Sequence, residues 1–279
     1  MKHLFDTLSK DCSVRVTQTY STSFSTAVRL LSPKIRTDIH AIYGFVRFAD
    51  EIVDSFHEYP KKDLLDEFER DLYLSLYRGI SLNPILNSFQ ATVAKYQIDH
   101  SLIDAFMKSM RADLAVENYE TVEQYEDYIY GSADVVGLMC LKVFVNGDKE
   151  KYEQLKPAAM KLGSAFQKVN FLRDIKDDML GLNRNYFPYV KEGRLTPETK
   201  KMIVDDIEND FNEAYKGIVK LPMEARFGVY TAFVYYRRLL GKLKATRASE
   251  IHETRIRVSD PMKMVLLTKS FVNYKLNLL

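Results

Sequence analysis

The sequence predicts an all-α protein, and three observations support this fold class. Helix-start signals recur along the chain, apolar residues repeat at intervals of three and four, and patterns typical of strands do not recur. We expect roughly ten helices joined by short polar connections. Because no internal repeat, low-complexity tract or flexible linker interrupts the sequence, we expect a single domain spanning residues 1–279.

Predicted helix starts and ends follow one another along the chain. Four starts pair a capping side chain with proline, which suits the first helical position because no N–H is needed there. These pairs are Ser32-Pro33, Asn83-Pro84, Thr196-Pro197 and Asp260-Pro261. Thr121 and Gln124 have the spacing of a capping box. Helix ends are predicted at Gly79, at Asn146-Gly147 and at Gly181.

Between these signals, apolar side chains recur on one face of each predicted helix. One stripe consists of Leu65, Phe68, Leu72 and Leu76, and a second consists of Leu102, Phe106, Met110 and Leu114. Spacings of three and four place such residues on one helical face that can pack into a core. The stripes therefore predict a bundle in which each helix buries one side.

Composition and charge exclude several classes of function. The net charge of +2 provides no strong field, so we expect no nucleic-acid partner. Cys12 and Cys140 do not form a disulfide framework, and no two of the five histidines have zinc-ligand spacing. The N-terminus lacks a signal-peptide pattern, and the longest apolar run, residues 135–145, is too short to span a bilayer. We therefore expect a cytoplasmic protein.

Polar residues share one face of a predicted helix between residues 43 and 54. Tyr43, Arg47, Asp50 and Asp54 are spaced four, three and four residues apart, so a helix would align them. The aligned groups are a phenol, a guanidinium and two carboxylates. The remaining faces of this helix are apolar, which is typical of a helix packed in a core.

A second polar face lies within residues 167–178. Gln167, Asn170, Asp174 and Asp178 share one helical face by the same spacing argument. The chain thus carries two apolar helices, each with an Asp-x-x-x-Asp pair and amide or cationic neighbours. One such pair is ordinary on a solvated face, but burying two would be costly without a cation or a substrate.

These residue types are suited to diphosphate chemistry. Mg²⁺ prefers oxygen ligands and commonly bridges carboxylates to phosphate oxygens, so two facing pairs could hold several ions around a diphosphate. Such ions stabilise the charge that develops on a departing group. Arg47 and Arg173 could add bidentate phosphate contacts. An apolar, aromatic interior could hold prenyl chains and keep water away from an allylic cation.

At these residues the sequence resembles the squalene and phytoene synthase family. Residues 43–54 resemble the first aspartate-rich motif of the family, and residues 162–178 resemble the second. Arg184-Asn-Tyr186-Phe-Pro188 resembles the Arg-x-Tyr-x-Pro element that follows. Residues 20–24 resemble an N-terminal Ser-x-Ser-Phe segment, and residues 128–139 resemble a central helix rich in Tyr and Gly. The motifs occur in the family order.

The resemblance implies the isoprenoid synthase fold, an all-α single-domain helical bundle with a central cavity. It implies catalytic roles for Tyr43, Arg47, Asp50, Asp54, Gln167, Asn170, Asp174 and Asp178. On the order of two or three Mg²⁺ ions would be bound by Asp50, Asp54, Asn170, Asp174 and Asp178. Prenyl diphosphates would be contacted by Tyr20, Ser21, Thr22, Ser23, Tyr43, Arg47, Gln167, Arg173, Arg184, Tyr186, Tyr236 and Arg255.

Some positions depart from the family pattern. Glu51 stands where most members carry Asp, and Asp177 stands where Glu is usual, so both charges are kept. Asp134 stands where a small residue is common. The spacing between Gly181 and Arg184 also differs from the usual turn, which leaves the role of Arg184 open.

Other polar residues and glycines receive structural interpretations. Asp113 lies one turn before Glu117, and both are expected on a solvated helix face rather than at a third metal site. The acidic run of Asp205, Asp206, Glu208 and Asp210 is also expected to be solvated. Gly131 and Gly137 lie within a predicted helix, where they could allow close helix packing, make room for prenyl chains, or both.

The leading hypothesis, implied by the resemblance, is the condensation of two geranylgeranyl diphosphates to phytoene. Within the family, the alternative is farnesyl diphosphate as substrate, which would give dehydrosqualene or, with NADPH, squalene. A non-catalytic relative acting as an assembly or binding factor is a further alternative, and the retained aspartates argue against it. A terpene cyclase is disfavoured because its second helix would carry a different metal motif. The product is apolar, so we expect transient association with the inner membrane surface; the oligomeric state stays open.

Overall fold

A computed structural model of the protein describes residues 1–116, 118–181, 184–190 and 194–276. The described residues form thirteen α-helices and no β-strand, apart from an isolated bridge between Asn118 and Asn185. The prediction of an all-α fold is therefore confirmed. The number of helices exceeds the predicted ten because three of them, with eight, eight and four residues, are short.

The helices follow one another with short connections. They are α1 (Lys2–Tyr20), α2 (Thr22–Arg29), α3 (Pro33–Ser55), α4 (Lys61–Arg78), α5 (Pro84–Tyr96), α6 (His100–Ala112), α7 (Val122–Ile129), α8 (Val135–Phe144), α9 (Lys149–Gly181), α10 (Pro197–Ile218), α11 (Met223–Ala245), α12 (Ala248–Ile251) and α13 (Asp260–Lys275). A π-helical segment, Tyr130–Asp134, joins α7 to α8. No helix in the described ranges is both long enough and apolar enough to cross a bilayer.

Most of the predicted helix ends are confirmed by local hydrogen bonds. The side chains of Ser32, Asn83 and Thr196 each accept a backbone N–H at the start of a helix, and Thr121 forms its capping box with Gln124. Gly79, Asn146 and Gly147 have positive φ angles, as their helix-ending role requires. Gly181 is the last described residue of α9. The cap predicted at Asp260 is displaced by one residue, because Ser259 precedes the first helical residue, Asp260.

The core surrounds α3, which packs against α1, α5, α8 and α4. Phe45 of α3 is fully buried and stacks on Phe89 of α5, with 4.0 Å between the ring centroids. The two predicted apolar stripes belong to this core: Leu65, Phe68, Leu72, Leu102, Phe106 and Met110 are buried, and Leu76 and Leu114 pack against them. The length of α9 lets it contact α8, α10, α11 and α12, so it connects both halves of the bundle.

Glycines allow close helix packing within the π-helical segment, at Gly131, and in α8, at Gly137. A Cβ atom at Gly131 would lie 2.0 Å from Oγ of Ser109 and 2.7 Å from the carbonyl oxygen of Ala105. A Cβ atom at Gly137 would lie 3.0 Å from the carbonyl oxygen of Ala159. Both positions therefore require a residue without a side chain, as one of the two sequence interpretations expected.

The acidic run of α10 is only partly solvated. Asp205 and Asp206 are exposed, but Asp210 is 0% exposed, so the prediction was wrong for Asp210. Its carboxylate lies 2.8 Å from Nζ of Lys161 and 2.7 Å from Nζ of Lys168, and Lys168 also contacts Asp206 at 2.6 Å. We call these four residues the Asp210 network. They connect α10 to α9, because both lysines belong to α9.

Candidate active site

A cavity of about 400 Å³ lies between the helices that carry the two predicted polar faces. Along α9 its lining changes from apolar, between Leu155 and Phe166, to polar at Gln167 and Asn170. Leu155 and Asn170 are separated by 15 residues, or about 22 Å of helix. Elsewhere the wall is largely apolar and includes Val28, Leu31, Phe106, Val136, Gly137, Cys140, Phe144, Ile218, Leu221 and Val229. The cavity can therefore hold a hydrocarbon chain with a polar head group at one end.

The polar face of α3 reaches this cavity as predicted. Tyr43, Arg47 and Asp50 line it. The guanidinium of Arg47 donates hydrogen bonds to the carboxylates of Asp50 and Glu51, so these charges are already paired in the structure. Burial raises the pKa of Tyr43 to about 12, which keeps its phenol protonated at neutral pH.

Gln167 and Asn170 of the polar face of α9 also line the cavity, whereas Asp174 and Asp178 are not among its lining residues. Nε of Arg173 donates to Oδ1 of Asp174 over 2.8 Å, and Nε of Arg255 lies 2.9 Å from the same oxygen. The hydroxyl of Tyr236 donates to Oδ1 of Asn170 over 3.4 Å. The structure thus places Tyr236 and Arg255, both predicted to contact substrate, directly beside the predicted metal ligands of α9.

The carboxylates of α3 and α9 influence one another across the site. Burial raises the pKa of Asp50 to about 7; Asp54 adds to the rise, and Arg47 opposes it. Burial also raises the pKa of Asp178 to about 7, with further contributions from Asp174 on its own helix and Asp54 on α3. Because Asp54 contributes to both pKa rises, the carboxylates of α3 and α9 lie close enough to repel one another, and a cation between them would relieve this repulsion.

The donor atoms of the two polar faces fit Mg²⁺, which binds carboxylate and amide oxygens. Such oxygens are supplied by Asp50, Asp54, Asn170, Asp174 and Asp178. Within the described ranges, no three His, Cys, Asp or Glu side chains converge on a common point as in a preformed metal centre. Guanidinium groups contact Asp50, Asp54 and Asp174 instead. The number of ions therefore stays a prediction.

The N-terminal segment predicted to contact substrate lies beside the polar end of the cavity. The guanidinium of Arg47 lies 4.5 Å from the ring centroid of Tyr20, a cation–π contact. Ser21 caps α2 by accepting the backbone N–H of Phe24, whose ring stacks on Tyr43 at 4.9 Å. Tyr20, Ser21, Thr22 and Ser23 are themselves not part of the described cavity lining.

Arg184 is buried next to the predicted metal ligands. Its Nη1 lies 3.0 Å from Oδ1 of Asp54 and 3.2 Å from the hydroxyl of Tyr186. Its Nη2 donates to the carbonyl oxygen of Asp113 over 2.5 Å, and the Asp113 carboxylate accepts from Tyr128 over 3.0 Å. We call these five residues the Arg184 network. It brings a second arginine to the α3 face despite the altered spacing after Gly181.

The interpretation of Asp113 as a solvated residue was wrong. Asp113 is 7% exposed, and its carboxylate accepts from the hydroxyl of Tyr128 and lies 3.5 Å from Nη1 of Arg184. Burial raises its pKa to about 7, and the charge of Arg184 opposes this rise. Glu117, the other residue of that interpretation, lies outside the described residues.

Several residues around the site were not identified from the sequence. Phe166 stacks on Tyr236 with 4.1 Å between centroids, and Phe24 stacks on Tyr43. Asp134, noted as a departure, is buried and accepts a hydrogen bond from Ser164 over 2.7 Å. The apolar periodicity of the sequence places such aromatic residues in a core, but it does not show which of them face a cavity.

A family model provides the first comparison with known proteins. The model described as squalene/phytoene synthase matches residues 17–189, which is more than half of the chain. The matched segment contains both polar faces as well as Arg184 and Tyr186. It therefore covers the α3 and α9 walls of the cavity, although α11 and α13 lie beyond it.

Curated relatives give the second comparison. The chain is 30% identical over 246 residues to phytoene synthase 1, chloroplastic, from Arabidopsis thaliana, covering 81% of this chain and 57% of that protein. It is 28% identical over 266 residues to phytoene synthase 1, chloroplastic, from Solanum lycopersicum, covering 89% and 64%. The chain thus spans about three fifths of the length of these relatives.

Solved structures give the third comparison. A crystal structure of a dehydrosqualene synthase matches with a TM-score of 0.83 and 20% identity, covering 97% of this chain and 98% of that chain. The squalene synthase HpnC from Alicyclobacillus acidocaldarius matches with a TM-score of 0.73 and 21% identity, covering 85% and 93%. These similarities establish the fold.

Proposed function

The chain belongs to the squalene/phytoene synthase family, and we propose that it is a prenyltransferase that joins two prenyl diphosphates head to head. One observation carries the proposal: the polar faces of α3 and α9 contribute Tyr43, Arg47, Asp50, Gln167 and Asn170 to one end of a cavity whose wall is otherwise largely apolar. A prenyl diphosphate has the matching division into an anionic head and a hydrocarbon tail. The raised pKa values of Asp50 and Asp178 support a cation site between the two faces.

We assign distinct roles to the residues around the head group. Asp50, Asp54, Asn170, Asp174 and Asp178 would hold Mg²⁺. When bound, Mg²⁺ would neutralise the diphosphate and stabilise the negative charge that it gains on departure. The arginines of the site, Arg47, Arg173, Arg184 and Arg255, lie beside these carboxylates and would contribute further positive charge toward the phosphate oxygens.

The apolar part of the cavity would protect the reacting carbons. Loss of diphosphate from one substrate leaves an allylic cation, and the double bond of the second substrate attacks it. Loss of a proton then gives a cyclopropyl intermediate that still carries one diphosphate, and the departure of this group starts the rearrangement. Tyr43, Phe166 and Tyr236 line the cavity, and the stacked pairs Phe24–Tyr43 and Phe166–Tyr236 would exclude water from the cations.

For the substrate we propose geranylgeranyl diphosphate and for the product phytoene. The support is the similarity to two plant phytoene synthases, at 28% and 30% identity. The alternative is farnesyl diphosphate, with dehydrosqualene or squalene as product, and the names of the similar solved structures favour it. Squalene formation would also require NADPH as a reductant. We propose that the enzyme works at a cytoplasmic membrane surface, because either product is a hydrocarbon.

A product assay tests this proposal. Purified protein with Mg²⁺ would be given farnesyl or geranylgeranyl diphosphate separately, with and without NADPH. A C40 hydrocarbon from geranylgeranyl diphosphate alone is the expected result. A C30 product would replace it by the farnesyl alternative, and NADPH dependence would separate squalene from dehydrosqualene. No product from either substrate would overturn the proposal and support the binding-factor interpretation.

Substitution of the aspartates tests the assignment of the site. Asp50→Asn and Asp174→Asn should each lower turnover by about a hundredfold or more, because each removes a negative charge from the predicted cation site. Circular dichroism should show unchanged helicity. Glu67→Gln is the matched control, since Glu67 is an exposed carboxylate on α4 that pairs with Arg70. Full activity of either aspartate variant would refute the assignment.

A further inference from the structure

The outer side of α13 is unusually apolar for a surface helix. Its inner side packs on α11: the ring of Phe227 lies 5.1 Å from that of Tyr274, and Asn273 donates to the hydroxyl of Tyr230 over 3.3 Å. The outer side and the residue after the helix expose five large apolar side chains, namely Met264, Val265, Phe271, Val272 and Leu276. Among them, Phe271 also contacts Phe227 of α11, with 6.0 Å between the ring centroids. We call these five residues the α13 outer face.

These side chains share one side of the helix, with the exposed Thr268 between Val265 and Phe271. Their positions differ by one, seven, eight and twelve residues, which places them within one half of the helix circumference. Met264 and Leu276 are each 62% exposed, and Val265 is 58% exposed. Single exposed apolar residues are normal on a protein surface, but a group of this kind marks an interaction surface.

The charges around the α13 outer face are almost all positive. Lys269 and Lys275 are exposed on the same half of the helix, and Nζ of Lys275 lies 5.7 Å from the ring of Phe271. Residues 260–276 contain three lysines and one acidic residue, Asp260, which pairs with Lys263 at 2.8 Å. A partner that fits this surface is both apolar and anionic, which describes the interface of a lipid bilayer.

We propose that the α13 outer face seats the protein on an anionic lipid bilayer, with the helix lying in the interface. The apolar side chains would enter the acyl boundary, and Lys269 and Lys275 would meet the lipid head groups. Behind α13, α11 lines the cavity with Val229 and Tyr236, so one helix separates the bilayer from the cavity. The inference adds the docking face to the proposed function, and its test requires no substrate.

Vesicle sedimentation tests the proposal. The protein should sediment with vesicles of phosphatidylglycerol and phosphatidylcholine, and less so as salt is added or when phosphatidylcholine is used alone. The triple variant Met264→Gln, Val265→Gln, Leu276→Gln should bind anionic vesicles about tenfold more weakly or worse. The double variant Lys269→Glu, Lys275→Glu should lose binding to a similar extent. No sedimentation of the unmodified protein would overturn the proposal.

A second exposed apolar region provides the control. Tyr77 of α4 is 90% exposed and Leu82, just before α5, is 92% exposed, but residues 61–78 carry five acidic against four basic side chains. The double variant Tyr77→Gln, Leu82→Gln should therefore keep its vesicle binding. The alternative is that a second copy of the chain covers the α13 outer face, and light scattering would detect the resulting dimer. Loss of a dimer in the triple variant, with vesicle binding unchanged, would also overturn the proposal. Turnover in detergent tests the proposed function separately.

Discussion

The Arg184 network and the Asp210 network both bury charged groups beside α9, but they differ in what they touch. Arg184 contacts Asp54, one of the predicted metal ligands. Asp210 contacts two lysines that face away from the cavity lining and join α9 to α10. Both networks consist of charges that would be costly to bury without a partner. The Arg184 network includes a residue of the candidate site, and we call it the open network. The Asp210 network includes no such residue, and we call it the closed network.

From this difference we expect the open network to affect activity and the closed network to affect stability. In the closed network, burial lowers the pKa of Lys168, but Asp210 and Asp206 outweigh this effect and raise it, so the lysine stays charged. The two lysines and two aspartates of the closed network pair with one another, so no ligand is needed to neutralise them. In the open network, Arg184 donates to the carboxylate of Asp54, the hydroxyl of Tyr186 and the backbone carbonyl of Asp113. Any change in these hydrogen bonds would alter the position of the Asp54 carboxylate, which is proposed to bind Mg²⁺.

The largest effect is expected when the closed network is broken. Asp210→Ala would leave the buried ammonium of Lys168 without its most enclosed partner, so the free energy of unfolding should fall by about 3–5 kcal/mol. The kcat of the protein that remains folded should change little, because no member of this network lines the cavity. Urea unfolding gives the free energy, and kcat is measured at a temperature where the variant is folded.

An exposed carboxylate on the same helix is the control. Asp205 pairs with Lys201 at the surface, so Asp205→Ala should change the free energy of unfolding by about 0–1 kcal/mol. Equal destabilisation by Asp210→Ala and Asp205→Ala would show that burial of the network contributes nothing special. A large loss of kcat in Asp210→Ala would remove the distinction between the two networks.

The next effect concerns the open network. Asp113→Asn keeps the shape of the side chain and the backbone carbonyl that accepts from Arg184, but it removes the carboxylate charge 3.5 Å from Nη1 of Arg184. Asp54 is then the remaining anionic partner of this guanidinium. We expect kcat to fall by about 10- to 100-fold, because small displacements in a site can cost this much. KM should change less. Steady-state kinetics with urea unfolding would separate this result from simple destabilisation, for which kcat of the folded protein would not move.

A surface aspartate and a charge-preserving substitution complete this test. Asp104 is an exposed aspartate that accepts a hydrogen bond from Tyr73, so Asp104→Asn should leave kcat and KM unchanged. Asp113→Glu keeps the negative charge and should recover part of the activity that Asp113→Asn loses. If Asp113→Asn has normal kcat, Arg184 does not depend on Asp113 for its position.

The features that the sequence predicted depend on neighbouring residues in the chain. The cap at Thr121 and the turn at Gly79 follow from contacts within four residues. The polar faces of α3 and α9 follow from helical spacing, and Tyr43, Arg47, Gln167 and Asn170 do line the cavity. Periodicity predicts which side chains share a face, since it depends only on the geometry of the helix.

The features that the sequence did not predict depend on distant partners. Asp113 and Arg184 are 71 residues apart, and Lys168 and Asp210 are 42 residues apart. By local pattern each aspartate looks like an ordinary solvated carboxylate. The partner that faces it comes from a distant segment, the residues after α9 for Asp113 and α9 itself for Asp210. The cavity volume has the same origin, because it depends on how α9 and α11 lie against α3. Sequence patterns within one helix therefore could not predict these contacts.

The smallest effects should come from the outer members of each network, and they sharpen the comparison. Tyr186→Phe removes one hydrogen bond to Arg184 at 3.2 Å and keeps the ring that stacks on Phe171 at 3.9 Å. It should lower kcat about threefold to tenfold and stability by about 1 kcal/mol. Lys161→Met removes the more exposed lysine of Asp210, which still keeps Lys168, and should cost about 1 kcal/mol of stability with kcat unchanged.

Tyr186→Phe and Lys161→Met are expected to lower stability equally, so a difference in kcat between them tests whether only the open network affects activity. Both remove one peripheral contact from a buried carboxylate or guanidinium, so thermal or urea unfolding should rank them alike. Only Tyr186→Phe should alter kcat, because only Arg184 contacts a residue of the candidate site. Equal changes of kcat in the two variants would mean that α9 transmits both perturbations to the site. The closed network would then help to position Gln167 and Asn170, which lie on the same helix as its lysines.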